Sequence, residues 1–186
     1  MSATPMPSHG VTRRQVITTG ALTIAALAAP PSPALANTDD AISRTEEAIH
    51  QVRVFAAARK HVYEALTVET RFDKVVQLSG VMKADAMAQM QKPTMLSPHA
   101  GGAFALFGGY IVGRQIELVP YELIVQAWRV LSWPRGVYSI ARFEFIDQGG
   151  STKLVFDHAA FPKGQAEHLA SGWQEHYWDP LAKLLA

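Results

Sequence analysis

Alternation of apolar and polar positions is clearest in residues 109–134, GYIVGRQIELVPYELIVQAWRVLSWP. Two runs there keep a period of two, as strands with one buried face do. Over 111–119, Val112, Ile116 and Leu118 share one parity; over 124–130, Ile124, Trp128 and Val130 do, with Gln126 in step. Val119-Pro120-Tyr121-Glu122 supplies the turn between them. The inward face then carries one indole and one amide among aliphatic groups, which suits either a packed core or a ligand cavity. Arg129 falls on the other parity and is expected to point to solvent or a partner.

The same pattern orders the rest of the chain. Residues 48–56 alternate imperfectly through Ile49, Val52, Val54 and Phe55 and predict a first strand. Two short helices follow. Over 59–67 the stripe is Val62, Tyr63 and Leu66; over 71–78 it is Phe72, Val75 and Val76, with Leu78 a further candidate. In 81–91, Met82, Ala86 and Met90 share a helical face, which suits core packing or an adaptable pocket. Strands are then expected over 104–107, 137–146 and 152–158, the last with Leu154, Phe156 and His158 in phase. From 165 to 186 the period becomes helical. Leu169, Trp173, Tyr177, Leu181 and Leu184 form one stripe, Gly172 allows close approach to the sheet, and Pro180 is expected to bend the helix.

Composition changes this picture mainly at the N-terminus. Of the 186 residues 48% are apolar and 18% charged, the balance of one globular domain. There is no cysteine, so no disulfide framework, thiolate metal site or cysteine nucleophile is available. Arg13-Arg14 precedes a weakly apolar run over 16–29, then Pro30, Pro31, Pro33 and the small-residue site Ala34-Leu35-Ala36. This resembles a twin-arginine export signal, which implies recognition by export machinery, cleavage after Ala36 and a periplasmic or secreted protein. Residues 37–47 read as a flexible lead-in, and 48–186 as the domain. Removing 1–36 takes two arginines and no other Lys, Arg, Asp or Glu, so the formal charge moves from +1 to −1. Such a balance gives no case for a nucleic-acid partner.

Spaced residues carry a further resemblance. Gly101-Gly102, Phe107-Gly108-Gly109, Gly113, Glu117-Leu118-Val119-Pro120, Ile124-Val125-Gln126, Trp128-Arg129 and Trp133-Pro134 form its first part. Thr152, Leu154, His158, Phe161-Pro162, Gly172-Trp173, Tyr177-Trp178 and Pro180-Leu181 complete it. The pattern resembles the heat-shock-protein-90 ATPase activator homologue family of the START-like, or SRPBCC, superfamily. The resemblance implies an α+β helix-grip fold: a curved antiparallel sheet around a long C-terminal helix, two short helices closing one end, and a cavity between. The chain departs from the family pattern at Ala56-Ala57-Ala58 and over 80–100.

Three functions stay open at this point. In the first, a small apolar molecule binds between sheet and helix, walled by Trp128, Phe143, Phe156, Trp173 and Tyr177 and oriented by Gln126 and His158; core filling is the plainer role for each aromatic. In the second, His158 is a weak candidate general base in a cyclase- or hydrolase-like enzyme, against a buried, hydrogen-bonded structural role. The third is a protein partner, the heat-shock ATPase, which export would keep out of reach. No phosphate-binding loop calls for a cofactor. His158, His168 and His176 make a poor metal trio, since the last two are eight residues apart and no HExxH motif occurs. His50 reads as a surface strand histidine rather than a ligand.

Overall fold

The structure, a computed structural model, describes residues 47–83 and 92–186. The twin-arginine segment with Arg13, Arg14, Ala34 and Ala36 lies outside the described residues, as do Ala86 and Met90 of the helical face expected over 81–91.

Seven strands form one antiparallel sheet in the order β1-β7-β6-β5-β4-β3-β2. They are β1 (Ala48–Phe55), β2 (Met95–Leu96), β3 (Ala103–Leu106), β4 (Ile111–Val119), β5 (Leu123–Val130), β6 (Ser139–Asp147) and β7 (Thr152–Ala159). Helices α1 (Arg59–Thr67) and α2 (Glu69–Ser79) follow β1, with Val68 ending one and starting the other. The C-terminal helix runs as α3 (Ala166–Trp173), a π segment (Gln174–Trp178) and α4 (Asp179–Leu185). The fold is α+β of the helix-grip type.

The core lies between the inner face of the sheet and this helix. Ile124, Gln126, Trp128 and Val130 of β5 all point inward, as their alternation predicts. So do Ser139, Ala141, Phe143 and Phe145 of β6, and Thr152, Leu154, Phe156 and His158 of β7. Stripes on α1 and α2 bury Val62, Tyr63, Leu66, Phe72, Val75 and Val76, while Leu78, in the last turn of α2, is exposed. Both stripes pack into the core, and α2 lies against α4 and the π segment.

Four expectations are corrected. In β4 the inward residues are Ile111, Gly113 and Gln115, while Ile116 is 47% exposed. A bulge between Gln115 and Glu117 inserts one residue, so parity reverses there and Leu118 returns to the core. In β1 Val52 and Val54 face solvent, and the inward positions are Ile49, Gln51, Arg53 and Phe55. The two polar ones reach the C-terminal helix: Gln51 Nε2 donates to the Ala170 carbonyl and Arg53 to Gln174 Oε1. Arg129 is buried rather than pointing to solvent. Its guanidinium donates to the carbonyls of Leu131 and Trp133, clamping the loop after β5, and lies 5.7 Å from the Tyr138 ring.

The fourth correction concerns the long helix, which answers Pro180 with a change of winding. Proline has no N–H to return to the carbonyl four residues back, and a wider i→i+5 turn lies immediately before it. The added residue brings Trp178 onto the buried face, where it stacks on Trp173 with centroids 5.6 Å apart and planes at 18°. A uniform 3.6-residue period hides Trp178 from the stripe.

Candidate functional site: a groove between sheet and helix

A groove of about 360 Å3 opens between β4–β5 and the first half of the C-terminal helix. Ile111, Trp128 and Val130 give it a floor, Leu169, Gly172, Trp173 and Tyr177 a roof, and Phe107, Tyr110 and Val81 one end. His168, Ser171, Glu175 and His176 lie along its helical rim.

Local sequence explains this opening. Phe107, Gly108 and Gly109 all have positive φ, at 50°, 66° and 89°. Glycine takes that conformation at no steric cost, whereas for a phenylalanine it is strained. The turn swings the Phe107 ring off the sheet and against Tyr177, with centroids 5.2 Å apart. Gly113, paired with Trp128 across β4–β5, keeps the sheet close to Phe104. A Cβ there would lie 2.1 Å from the Ala127 carbonyl and 2.3 Å from the Phe104 ring. At Gly172 the opposite holds: a Cβ would meet nothing within 4 Å. Its missing side chain leaves space in the groove, where the sequence suggests close approach of helix to sheet.

The predicted cavity residues divide between this groove and the closed core beside it. Trp128, Trp173 and Tyr177 line the groove. Phe143 and Phe156 do not; they pack on one another at 4.9 Å and beneath Trp173 and Trp178. Gln126 donates to Gln115 Oε1 at 3.1 Å, and Gln115 in turn to the Ser97 carbonyl.

His158 is fully buried beneath Trp173. The Trp173 indole donates to its Nδ1 at 3.0 Å, so Nε2 carries the proton and donates to Ser139 Oγ at 2.7 Å. The Ser139 hydroxyl in turn donates to the Trp128 carbonyl at 2.9 Å. Every hydrogen in this chain of three bonds is used. Burial lowers the His158 pKa to about 3, so the ring is neutral near pH 7. With both nitrogens engaged and no exposure, it has no free lone pair to take a proton from a substrate in the groove.

The groove side is less complete. Trp128 Nε1 and Tyr177 Oη are buried without a hydrogen-bond partner among the described residues, as is His176 Nδ1. Burial pushes the Tyr177 phenol above its usual range; the Trp128 N–H faces Tyr177 Oη closely enough to oppose that rise, although the pair falls outside hydrogen-bond geometry. Burial lowers the His176 pKa, and so does His168, while Glu175 raises it. Among the described residues no three side chains gather as a metal site. His50, on the outer face, pairs with Asp157 at 2.6 Å.

Sequence reasoning missed Phe107, Tyr110, Val81 and Trp178. The Phe-Gly-Gly run was the available signal for the first two, and Pro180 for the last.

Comparison with known proteins now adds to the geometry. Residues 56–186 match the family model described as Activator of Hsp90 ATPase homolog 1-like protein. Activator of 90 kDa heat shock protein ATPase homolog 1 of Homo sapiens is 34% identical over 89 residues, covering 48% of this chain and 26% of that protein. Homolog 2 of Mus musculus is 30% identical over 124 residues, covering 65% and 38%. This chain therefore spans well under half the length of either relative. Among solved structures, an HSP90 activator from Plasmodium falciparum superposes with a TM-score of 0.63 at 22% identity, over 74% of this chain and 95% of that one. CalU16 from Micromonospora echinospora gives 0.59 at 18% identity, over 76% and 77%. At these identities the superpositions speak for the fold alone.

Proposed function

Since the chain belongs to the Activator of Hsp90 ATPase homolog 1-like family, we propose that it uses that family's fold to bind a small apolar molecule between sheet and C-terminal helix. The observation that carries this reading is the groove, whose volume of about 360 Å3 lies in the range of small-molecule sites. Phe107, Tyr110, Trp128, Trp173 and Tyr177 wall it together with four aliphatic side chains, and a side chain at residue 172, a glycine, would meet nothing within 4 Å. A core that only needed to be filled would gain from a side chain there.

Gly172→Leu is the direct test. It puts a good helix former into helix α3, so stability should hold or rise by up to ~1 kcal/mol. Binding of the uncharged fluorescent probe N-phenyl-1-naphthylamine should fall at least about tenfold as the groove fills. Equal probe binding by both proteins, or none by either, would contradict the reading.

The names of the relatives favour a second reading, activation of a heat-shock ATPase. Stimulated ATP hydrolysis by that chaperone when this chain is added would support it, and an unchanged rate would not. We also propose export, on the strength of Arg13-Arg14, the apolar run and the site ending at Ala36. Arg13→Lys with Arg14→Lys should then leave uncleaved precursor in the cytoplasm, and unchanged processing would exclude the twin-arginine route.

A further inference from the structure

The groove's unpaired donors say what kind of molecule fits it. We propose that the site selects a flat, uncharged, apolar ligand carrying one hydrogen-bond acceptor, a carbonyl oxygen above all, which the Trp128 indole N–H and the Tyr177 hydroxyl grip together. This rests on the groove being a binding site and adds the chemical class of its occupant.

Trp128 is 3% exposed and Tyr177 5%, yet neither Trp128 Nε1 nor Tyr177 Oη has a partner among the described residues. Buried donors are normally paired, and an orphan is costly unless something arrives to satisfy it. Three such atoms belong to residues lining one groove, the third being His176 Nδ1 on its helical rim. The Trp128 N–H lies near enough to Tyr177 Oη to lower the phenol's pKa, but outside the geometry of a full hydrogen bond, so both groups can turn to a shared acceptor. Both can donate at once to a single oxygen, because a carbonyl has two lone pairs. Burial keeps the phenol protonated, so Tyr177 remains a donor.

The charge of the occupant follows from what is missing. Among the described residues no lysine or arginine lines the groove, and the rim carries the Glu175 carboxylate. His176 is held towards its neutral form by burial. A carboxylate drawn in beside Trp128 would lose its water and find no counter-charge, so an anion is disfavoured where a neutral carbonyl is not. The shape follows from the walls. Phe107, Trp128, Trp173 and Tyr177 present ring faces and edges, which suit a planar body. A site built to hydrogen-bond one group also rejects the analogue that lacks it.

Three probes sharing one skeleton test this on the full chain: fluorene, 9-fluorenone and fluorene-9-carboxylate, titrated by calorimetry. The expected order is 9-fluorenone tighter than fluorene by about fivefold or more, with the carboxylate weakest. Trp128→Phe and Tyr177→Phe keep an aromatic ring and remove one donor each. Each should weaken 9-fluorenone by about threefold or more while leaving fluorene within about twofold. Near-UV circular dichroism of each variant separates a lost donor from a lost fold, and Tyr177→Phe removes one oxygen only. If fluorene and 9-fluorenone bind alike, or neither variant discriminates between them, the acceptor proposal is overturned and the groove reading survives. Tightest binding by the carboxylate would overturn it too. If none of the three binds, the groove reading fails and takes this one with it.

Discussion

One helix covers two unlike regions. Over β6 and β7 the core is closed: Phe143, Phe156, Leu154 and His158 are at most 2% exposed, and His158 sits in an unbroken run of hydrogen bonds from Trp173 to the Trp128 carbonyl. Over β4 and β5 the same helix stands off the sheet, Gly172 leaves space, and Trp128 and Tyr177 keep polar atoms unpaired. Trp173 belongs to both, with its nitrogen in the closed network and its ring on the groove. Aromatic content is similar on the two sides, so it does not separate core from site. Satisfaction of polar groups does better: of the four buried side-chain atoms without a partner among the described residues, three belong to residues lining the groove, and the fourth, Arg53 Nε, lies on β1.

Substitutions should therefore divide by region. The largest loss belongs to the closed side: Phe156→Ala should cost about 3–5 kcal/mol in denaturant unfolding, because packed neighbours cannot collapse into the space. A loss below ~1 kcal/mol would show that the closed side is loosely packed. Next comes pH. His158 has a pKa near 3 when folded and ~6.5 when unfolded. Between those values the unfolded chain binds the extra proton, so this group adds no pH dependence above ~6.5 and removes ~1.4 kcal/mol per pH unit as pH falls below it. Urea midpoints at several pH values check this, and His158→Gln should flatten that part of the slope. The smallest effects make the sharpest contrast. Ser139→Ala strips the acceptor from His158 Nε2 and should cost about 1–2 kcal/mol, whereas Tyr177→Phe removes an unpaired hydroxyl and should change stability by less than ~0.5 kcal/mol or raise it. Equal losses at the two positions would erase the distinction between the regions.

The fold was largely legible because strand alternation and helical period report burial directly. Phe143, Phe156 and His158 fall on the inward parity of their strands and are buried. The errors share a cause: each is a place where the period shifts or a polar residue points inward. The bulge near Ile116 and the π turn before Pro180 each insert one residue. Inward Gln51 and Arg53 in β1 gain partners from a helix more than a hundred residues away, and Arg129 finds its carbonyls in a loop whose shape no pattern gives. The candidate site was half legible. Alternation says that Trp128 and His158 face inward, but not that one borders open space and the other is sealed, because that depends on the stand-off of a helix. Glycine at 172 was visible in the sequence, and its meaning was not.

The most direct measurement is the behaviour of the indole N–H signals in a heteronuclear NMR titration. Four tryptophans give four such signals, from Trp128 and Trp173 at the groove, Trp178 in the closed core and Trp133 in the loop after β5. Addition of N-phenyl-1-naphthylamine should move the Trp128 signal most and leave Trp178, whose N–H is held by Gln51 Oε1, nearly still. A shift confined to Trp178 or Trp133, or no shift in any of the four, would contradict a ligand site between β4–β5 and the C-terminal helix.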